Sequence, residues 1–251
     1  MKKRSRCGLQ TAFRVSRKTL IVDLGGLRSV LSSAPRAGGI TRARYILNHQ
    51  VPAKPMGRDD RGLGTGVRWP DPARTLSSLA ISLGIRDKFV GLMTAVSLAD
   101  LVTVRETYDQ VWVEGFVTVG ISNAVQAGEP VTPNQRSSRA HPGTINLILV
   151  TNARLSASAM VGMVQVATEA KTAVLMRAKV KSWTGRPGAT GTGTDAVVVV
   201  SGNGPSMKYS GTHTVLGELV GRVIGTAVTA GLARYMRWHG RGTPHSRAKN
   251  L

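Results

Sequence analysis

At 251 residues, with 41% hydrophobic content but only 4% aromatics, the chain has ample material for a core, and that core must be built of Val, Leu, Ile, Ala and Met. Its formal net charge of +21 gathers toward the ends: seven of the 34 Lys and Arg residues lie in 1–18 and five follow Ala233. Such charge fits either a polyanion partner, because basic clusters displace counterions from phosphate backbones, or two solvated tails on an otherwise ordinary domain. No aromatic interleaving and no zinc-knuckle or RNP pattern accompanies it, which disfavours a nucleic-acid function, though the basic tails leave one open. Cys7 stands alone, which excludes an intrachain disulfide and a thiolate metal site. Five scattered histidines form no HExxH or paired-ligand spacing, and no metal is predicted. The apolar run at 19–24 is too short for a signal peptide and is broken by Asp23, and nowhere do about 18 apolar residues run together. A soluble, cytoplasmic protein without membrane contact is expected; nothing fixes its oligomeric state.

In chain order, residues 1–18 read as a mobile basic tail, 19–239 as a single domain and 240–251 as a second basic, disordered tail. TLIVDL and RYILNHQV flank SVLSSAPRAGGI, whose Gly38-Gly39 pair marks a turn or a close backbone approach. The stretch 52–72, rich in Gly, Pro and charge, reads as a loop or lid. FVGLMTAV is a buried strand. LVTVRETYD and QVWVEGFVTVGI alternate with partial period two and are strands joined through Asp109-Gln110. A polar loop covers 128–141. The segment 144–150 is apolar on both faces, as a strand covered on both sides would be. A helix at 156–179, a buried strand at 195–201 and a final helix at 214–238 complete the chain. Thr214 is the expected N-cap of the last helix, with Glu218 and Arg222 as an i,i+4 pair. Strands alternating with long helices predict an α/β (α+β) fold, a layered sandwich of mixed sheets flanked by helices, with αββα as one such arrangement.

Candidate chemistry concentrates between 142 and 195. There a Gly-Thr step opens the apolar strand, a helix follows, and a hydroxyl-rich glycine loop ends in a carboxylate. Asn146 interrupts TINLILV. A buried carboxamide without partners costs about 1–3 kcal/mol, so it either binds ligand or hydrogen-bonds a neighbouring strand. On the helix, Met160, Met163, Ala167, Ala170 and Val174 share one face. Lys171 projects beside it and either snorkels or reaches into a site, whereas Glu169 points nearly opposite. The loop ATGTGTD (189–195) supplies Gly191 and Gly193, whose backbone N–H groups can approach an oxyanion or a phosphate, together with Thr192, Thr194 and Asp195. It lacks the lysine of a Walker loop, and a hairpin can look the same. His213, just ahead of the last helix, is either an acid–base group or a structural residue.

In this order the blocks resemble the adenosylcobinamide amidohydrolases. The matching stretches are VLSSAPRAGGITRARYILNHQVP (30–52), VGLMTA (90–95), FVTVGISNA with AGEP (116–130), GTINLILVTNARL (143–155), ATEAKTAVL (167–175), ATGTGTDAVVVVSG (189–202) and YSGTHTVLGELVG (209–221). The resemblance implies hydrolysis of one amide on a corrin ring: loss of the aminopropanol arm of adenosylcobinamide to leave adenosylcobyric acid, as in cobamide salvage. It implies a corrinoid substrate and no cofactor, the cobalt entering only as part of that substrate. A non-catalytic corrinoid-binding module and a basic nucleic-acid-binding protein are the alternatives. A second resemblance, to self-processing aminopeptidases of the ornithine acetyltransferase-like fold, rests on Gly143-Thr144, the Thr194-Asp195 loop and Asn123 after FVTVGIS. It implies Thr144 as nucleophile, Asn123 as oxyanion donor, and Thr194 and Asp195 as orienting or relaying groups. Lys171, Gly191, Gly193, Asn146 and His213 would surround the substrate. A rival mechanism has Asp195 or His213 activate water directly.

Overall fold

The computed structural model describes residues 11–52, 71–130 and 143–239, with side chains through Arg237; nearly all of the loop or lid at 52–72, most of the 128–141 loop and the tail from 240 lie outside the described residues. Strand β1 (Ala12–Ser16) pairs antiparallel with the start of β2 (Thr19–Ser32). The turn residues Arg17 and Lys18 both have positive φ, 47° and 55°, as a two-residue hairpin matching strand twist requires. Residues 11–18, expected to belong to a mobile tail, instead form a strand and its turn, because Phe13 packs edge-on against Phe116 with centroids 5.2 Å apart and gives this segment an apolar anchor.

β3 (Gly39–Gln50) runs antiparallel to β2 with a register shift between Asp23 and Arg28, and β4 (Phe89–Thr94) runs parallel to β3. Helix α1 (Pro72–Ser82), begun by Asp71 accepting from Ala73 N, connects them and was not predicted. β5 (Val102–Tyr108) and β6 (Val111–Val119) form a hairpin at Asp109, φ 55°. After the two-residue β7 (Ala124–Val125) come β8 (Ile145–Thr151), β9 (Arg154–Leu155) and α2 (Ala157–Arg177). The chain ends with β10 (Gly191–Thr192), β11 (Ala196–Val200), β12 (Ser206–Met207) and α3 (Val215–His239). The main sheet has the order β4-β3-β2-β11-β8-β6-β5, with β8 and β11 parallel.

Alternation along the strands shows how this sheet is layered. Val113, Val117, Val119, Leu147, Leu149 and Val199 face α2 and α3 in one core. Their neighbours Phe116, Ile148, Val150 and Val198 face the opposite way and meet Leu20, Val22, Ile46, Val90 and Leu92 in a core made of strands. Ile21 and Leu47, on the outer side of β2 and β3, pack on Ala80 of α1 and on Ile85. One hydrogen-bonded sheet thus folds into two packed layers with helices outside each, the layered α+β sandwich predicted from the sequence. Thr214 caps α3 through Gly217 N at 3.0 Å, and Arg222 pairs with Glu218 at 3.0 Å, both as expected. By length and composition α3 could cross a membrane, but Leu219, Val220, Val223, Ile224, Ala227 and Val228 bury its apolar face in the helix-side core.

Candidate active site

Thr144 immediately precedes β8, every residue of which is buried, so the hydroxyl stands on a rigid element. Its Oγ1 donates toward two acceptors, the Thr194 carbonyl at 2.9 Å and Asn146 Oδ1 at 3.3 Å. The Thr194 hydroxyl, for its part, donates to the Gly143 carbonyl at 3.0 Å. Gly143 passes tightly beneath the segment that follows β6: a Cβ there would lie 2.6 Å from both Asn123 Oδ1 and Ser122 Oγ. Asn123 Oδ1 is buried and has no hydrogen-bond partner among the described residues, while Nδ2 turns toward Gly193. Ser122 hydrogen-bonds Tyr235 of α3, whose phenol is pushed above its usual range chiefly by burial, with the Ser122 bond opposing.

The second half of the site is an ion pair. Lys171, buried on α2, places Nζ 2.5 Å from Asp195 Oδ2. Asp195 also accepts from Thr192 Oγ1 at 2.5 Å, Thr192 N at 3.1 Å and Ile145 N at 2.9 Å. Four donors fill the acceptor sites of one carboxylate. The pair therefore ties α2, the glycine loop and the first residue of β8 together, and fixes the Thr194 carbonyl against the Thr144 hydroxyl. Lys171 does not snorkel to solvent: its side chain is buried and ends on Asp195.

Gly191 packs against this ion pair. It pairs with Val125 as a strand residue, and a Cβ there would stand 2.5 Å from Asp195 Oδ2 and 2.7 Å from Lys171 Nζ. Its lack of a side chain makes room for the ion pair. Asn146 bonds across strands, giving Nδ2 to Asn48 Oδ1 at 3.0 Å and to the Met93 carbonyl at 2.8 Å. His213 is not brought to this cluster. It is exposed ahead of α3, near Ser210, which bonds the Ala159 carbonyl at the start of α2. Lys171 lies twelve residues further along that helix, about 18 Å away at 1.5 Å per residue. Glu169 is exposed, as expected.

Sequence reasoning missed Asn48, Thr118, Ser122 and Tyr235. Asn48 carried the same signal as Asn146, a carboxamide inside an apolar strand; Tyr235, on a distant helix, carried none. A cavity of about 380 Å³ beside Asp23, Arg28 and Asn152, and one of about 750 Å³ between α1 and β3, both lie away from these residues.

A layered α/β protein that gathers a strand-end hydroxyl, carbonyl-directed donors and a buried Lys–Asp pair has the parts of an amide-cleaving enzyme. The chain belongs to the adenosylcobinamide amidohydrolase family, whose model matches residues 5–240, and it is an amide hydrolase. It is 31% identical over 230 residues to the adenosylcobinamide amidohydrolase of Methanosarcina mazei, covering 88% of this chain and 96% of that one. It is 29% identical over 238 residues to an uncharacterized protein of Methanocaldococcus jannaschii, covering 86% of each. Among solved structures, a Burkholderia β-aminopeptidase aligns over 88% of this chain and 79% of its own with 12% identity and a TM-score of 0.40, too slight a likeness to bear on mechanism.

Proposed function

We propose that the protein hydrolyses the aminopropanol amide of adenosylcobinamide to adenosylcobyric acid, with Thr144 as the nucleophile. Family membership supports the substrate. The observation that supports the nucleophile is the reciprocal pair in which the Thr194 hydroxyl donates to the Gly143 carbonyl, one peptide bond ahead of Thr144, and the Thr144 hydroxyl donates to the Thr194 carbonyl. A donor on that oxygen stabilises the charge that would build there if Thr144 attacked it. In such an attack a C–O bond forms at Gly143, the C–N bond to Thr144 breaks, and the departing nitrogen takes the hydroxyl proton. Water then hydrolyses the ester and leaves Thr144 with a free amine.

That amine is the base a threonine hydroxyl needs. It takes the Oγ1 proton as Oγ1 attacks the substrate amide, and returns it to the leaving aminopropanol nitrogen; water cleaves the acyl-enzyme. The Thr194 hydroxyl, relieved of Gly143, and Asn123 Nδ2 are the candidate oxyanion donors. Asp195 is a poor candidate for activating water, because its oxygens already carry four donors.

Mass spectrometry of purified protein incubated with adenosylcobinamide tests the reading. Aminopropanol should be released, and the chain should appear as pieces of 143 and 108 residues. Thr144→Ala should stay whole and inactive, and Thr194→Val should slow scission by about 10²–10³. Substrate turnover by Thr144→Ala at the wild-type rate would refute the nucleophile; corrinoid binding without turnover would favour the non-catalytic module.

A further inference from the structure

We infer that Asn48, on the opposite layer of the sandwich, is a positioning residue that locks Asn146 with its oxygen against Thr144. This rests on Thr144 being the nucleophile.

The polarity of the network is set at one fixed point. The Met93 carbonyl can only accept, so the carboxamide of Asn146 must turn its nitrogen to it, at 2.8 Å. The second N–H on that nitrogen needs another acceptor, and Asn48 Oδ1 supplies it at 3.0 Å. To offer its oxygen, Asn48 must send its own nitrogen the other way, where Thr118 Oγ1 receives it at 3.3 Å. Thr118 sits opposite Asn146 across β6 and β8. Asn48 and Asn146 are each 1% exposed and Thr118 is 0%, so bulk water does not compete for these bonds.

The consequence falls on the reacting atom. With Asn146 held this way, Asn146 Oδ1 and the Thr194 carbonyl both meet Thr144 Oγ1 as acceptors. They engage its hydrogen and place no donor on its lone pairs. A flipped Asn146 would put an N–H on a lone pair that must attack, and would leave the Met93 carbonyl facing an oxygen. The lock thus keeps the nucleophile undamped, and it explains why a chain of polar side chains crosses a core otherwise made of apolar residues.

The test compares Asn48→Leu, which keeps the bulk but has no acceptor, with Asn48→Asp, which still offers an oxygen to Asn146. Steady-state turnover of adenosylcobinamide and the melting temperature are measured for each. Asn48→Leu should lose about ten-fold in kcat with KM unchanged, and Asn48→Asp should recover most of the loss. An undiminished kcat in Asn48→Leu overturns the lock, as does equal loss in both variants tracking the melting temperature. If Asn48→Leu does not fold, Thr118→Val should show a smaller loss confined to kcat, restored by Thr118→Ser; unchanged kcat there also overturns it. Thr144→Ala, assayed alongside, separates the two ideas. If it is active, the nucleophile reading fails; if it is inactive beside an unimpaired Asn48→Leu, only the lock fails.

Discussion

At the scale of single residues, Gly191 and Lys171 show how tightly the site is built. A methyl at 191 has no room while the Lys171–Asp195 pair is in place, since it would stand 2.7 Å from the ammonium and 2.5 Å from the carboxylate. Gly191→Ala should therefore cost about 1–3 kcal/mol through overpacking and lower activity by moving the Thr194 carbonyl. Lys171→Met removes the ammonium half of that clash and frees the carboxylate to shift, but leaves a mostly buried carboxylate without its cation, which costs more. Because the two substitutions share one cause, their combined loss in denaturant unfolding should be less than the sum of the single losses. Strict additivity would show that the pair does not hold the loop. Asn146 and Lys171 stood out in the sequence because each breaks an apolar pattern, and Asn48 breaks one in the same way in YILNHQ. Ser122 and Tyr235 were illegible: their meeting depends on where the end of α3 lands on the sheet, which no local pattern encodes.

At the scale of an element, β3 carries a titratable group beside the positioning asparagine. His49 Nδ1 lies 2.9 Å from Thr19 Oγ1 on the paired strand. Burial is the largest influence on it and lowers its pKa below 6.5; the backbone bond at Lys18 works the other way, and the Lys18 charge adds to the lowering. The folded protein therefore favours neutral His49 more than the unfolded chain does. Above the unfolded value the contribution is constant. As pH falls below about 6.5, the unfolded chain takes up a proton that the folded state resists, so stability falls until the lower folded pKa is reached. Melting temperature measured against pH should drop across that window in the wild type, with a shallower slope in His49→Gln. Parallel curves would assign the acid sensitivity to other groups. Most strands and both long helices were visible in the hydrophobic period, whereas α1 was not, because it emerges directly from a Gly- and Pro-rich stretch.

At the scale of the whole molecule, the α/β class followed from alternating strand and helix patterns. The bending of one sheet into two layers did not, since it turns on a register shift at 23–28 and on pairing between β2 and β11, far apart in sequence. The same geometry divides the basic amino-terminal segment into two parts with different expected behaviour. Residues 1–9 and 240–251 hold four and three cations and no acid, so removing both takes the formal charge from +21 to +14. Amide hydrolysis should be unchanged in that truncated protein, and any affinity for RNA should fall and become less salt-dependent. Extending the amino-terminal deletion through residue 18 is a different operation. It removes β1, the Phe13–Phe116 contact, worth about 0.5–1.5 kcal/mol, and the Thr11 N–H that reaches Glu114 Oε2 at 3.0 Å. Glu114 is fully buried opposite Arg105, and loss of one donor to such a group costs about 1–3 kcal/mol. The longer deletion should therefore melt several degrees lower than the shorter one while its folded fraction still hydrolyses the amide. Equal melting temperatures would mean that β1 adds nothing to the sandwich, and loss of turnover in the shorter deletion would place a basic end in the reaction itself.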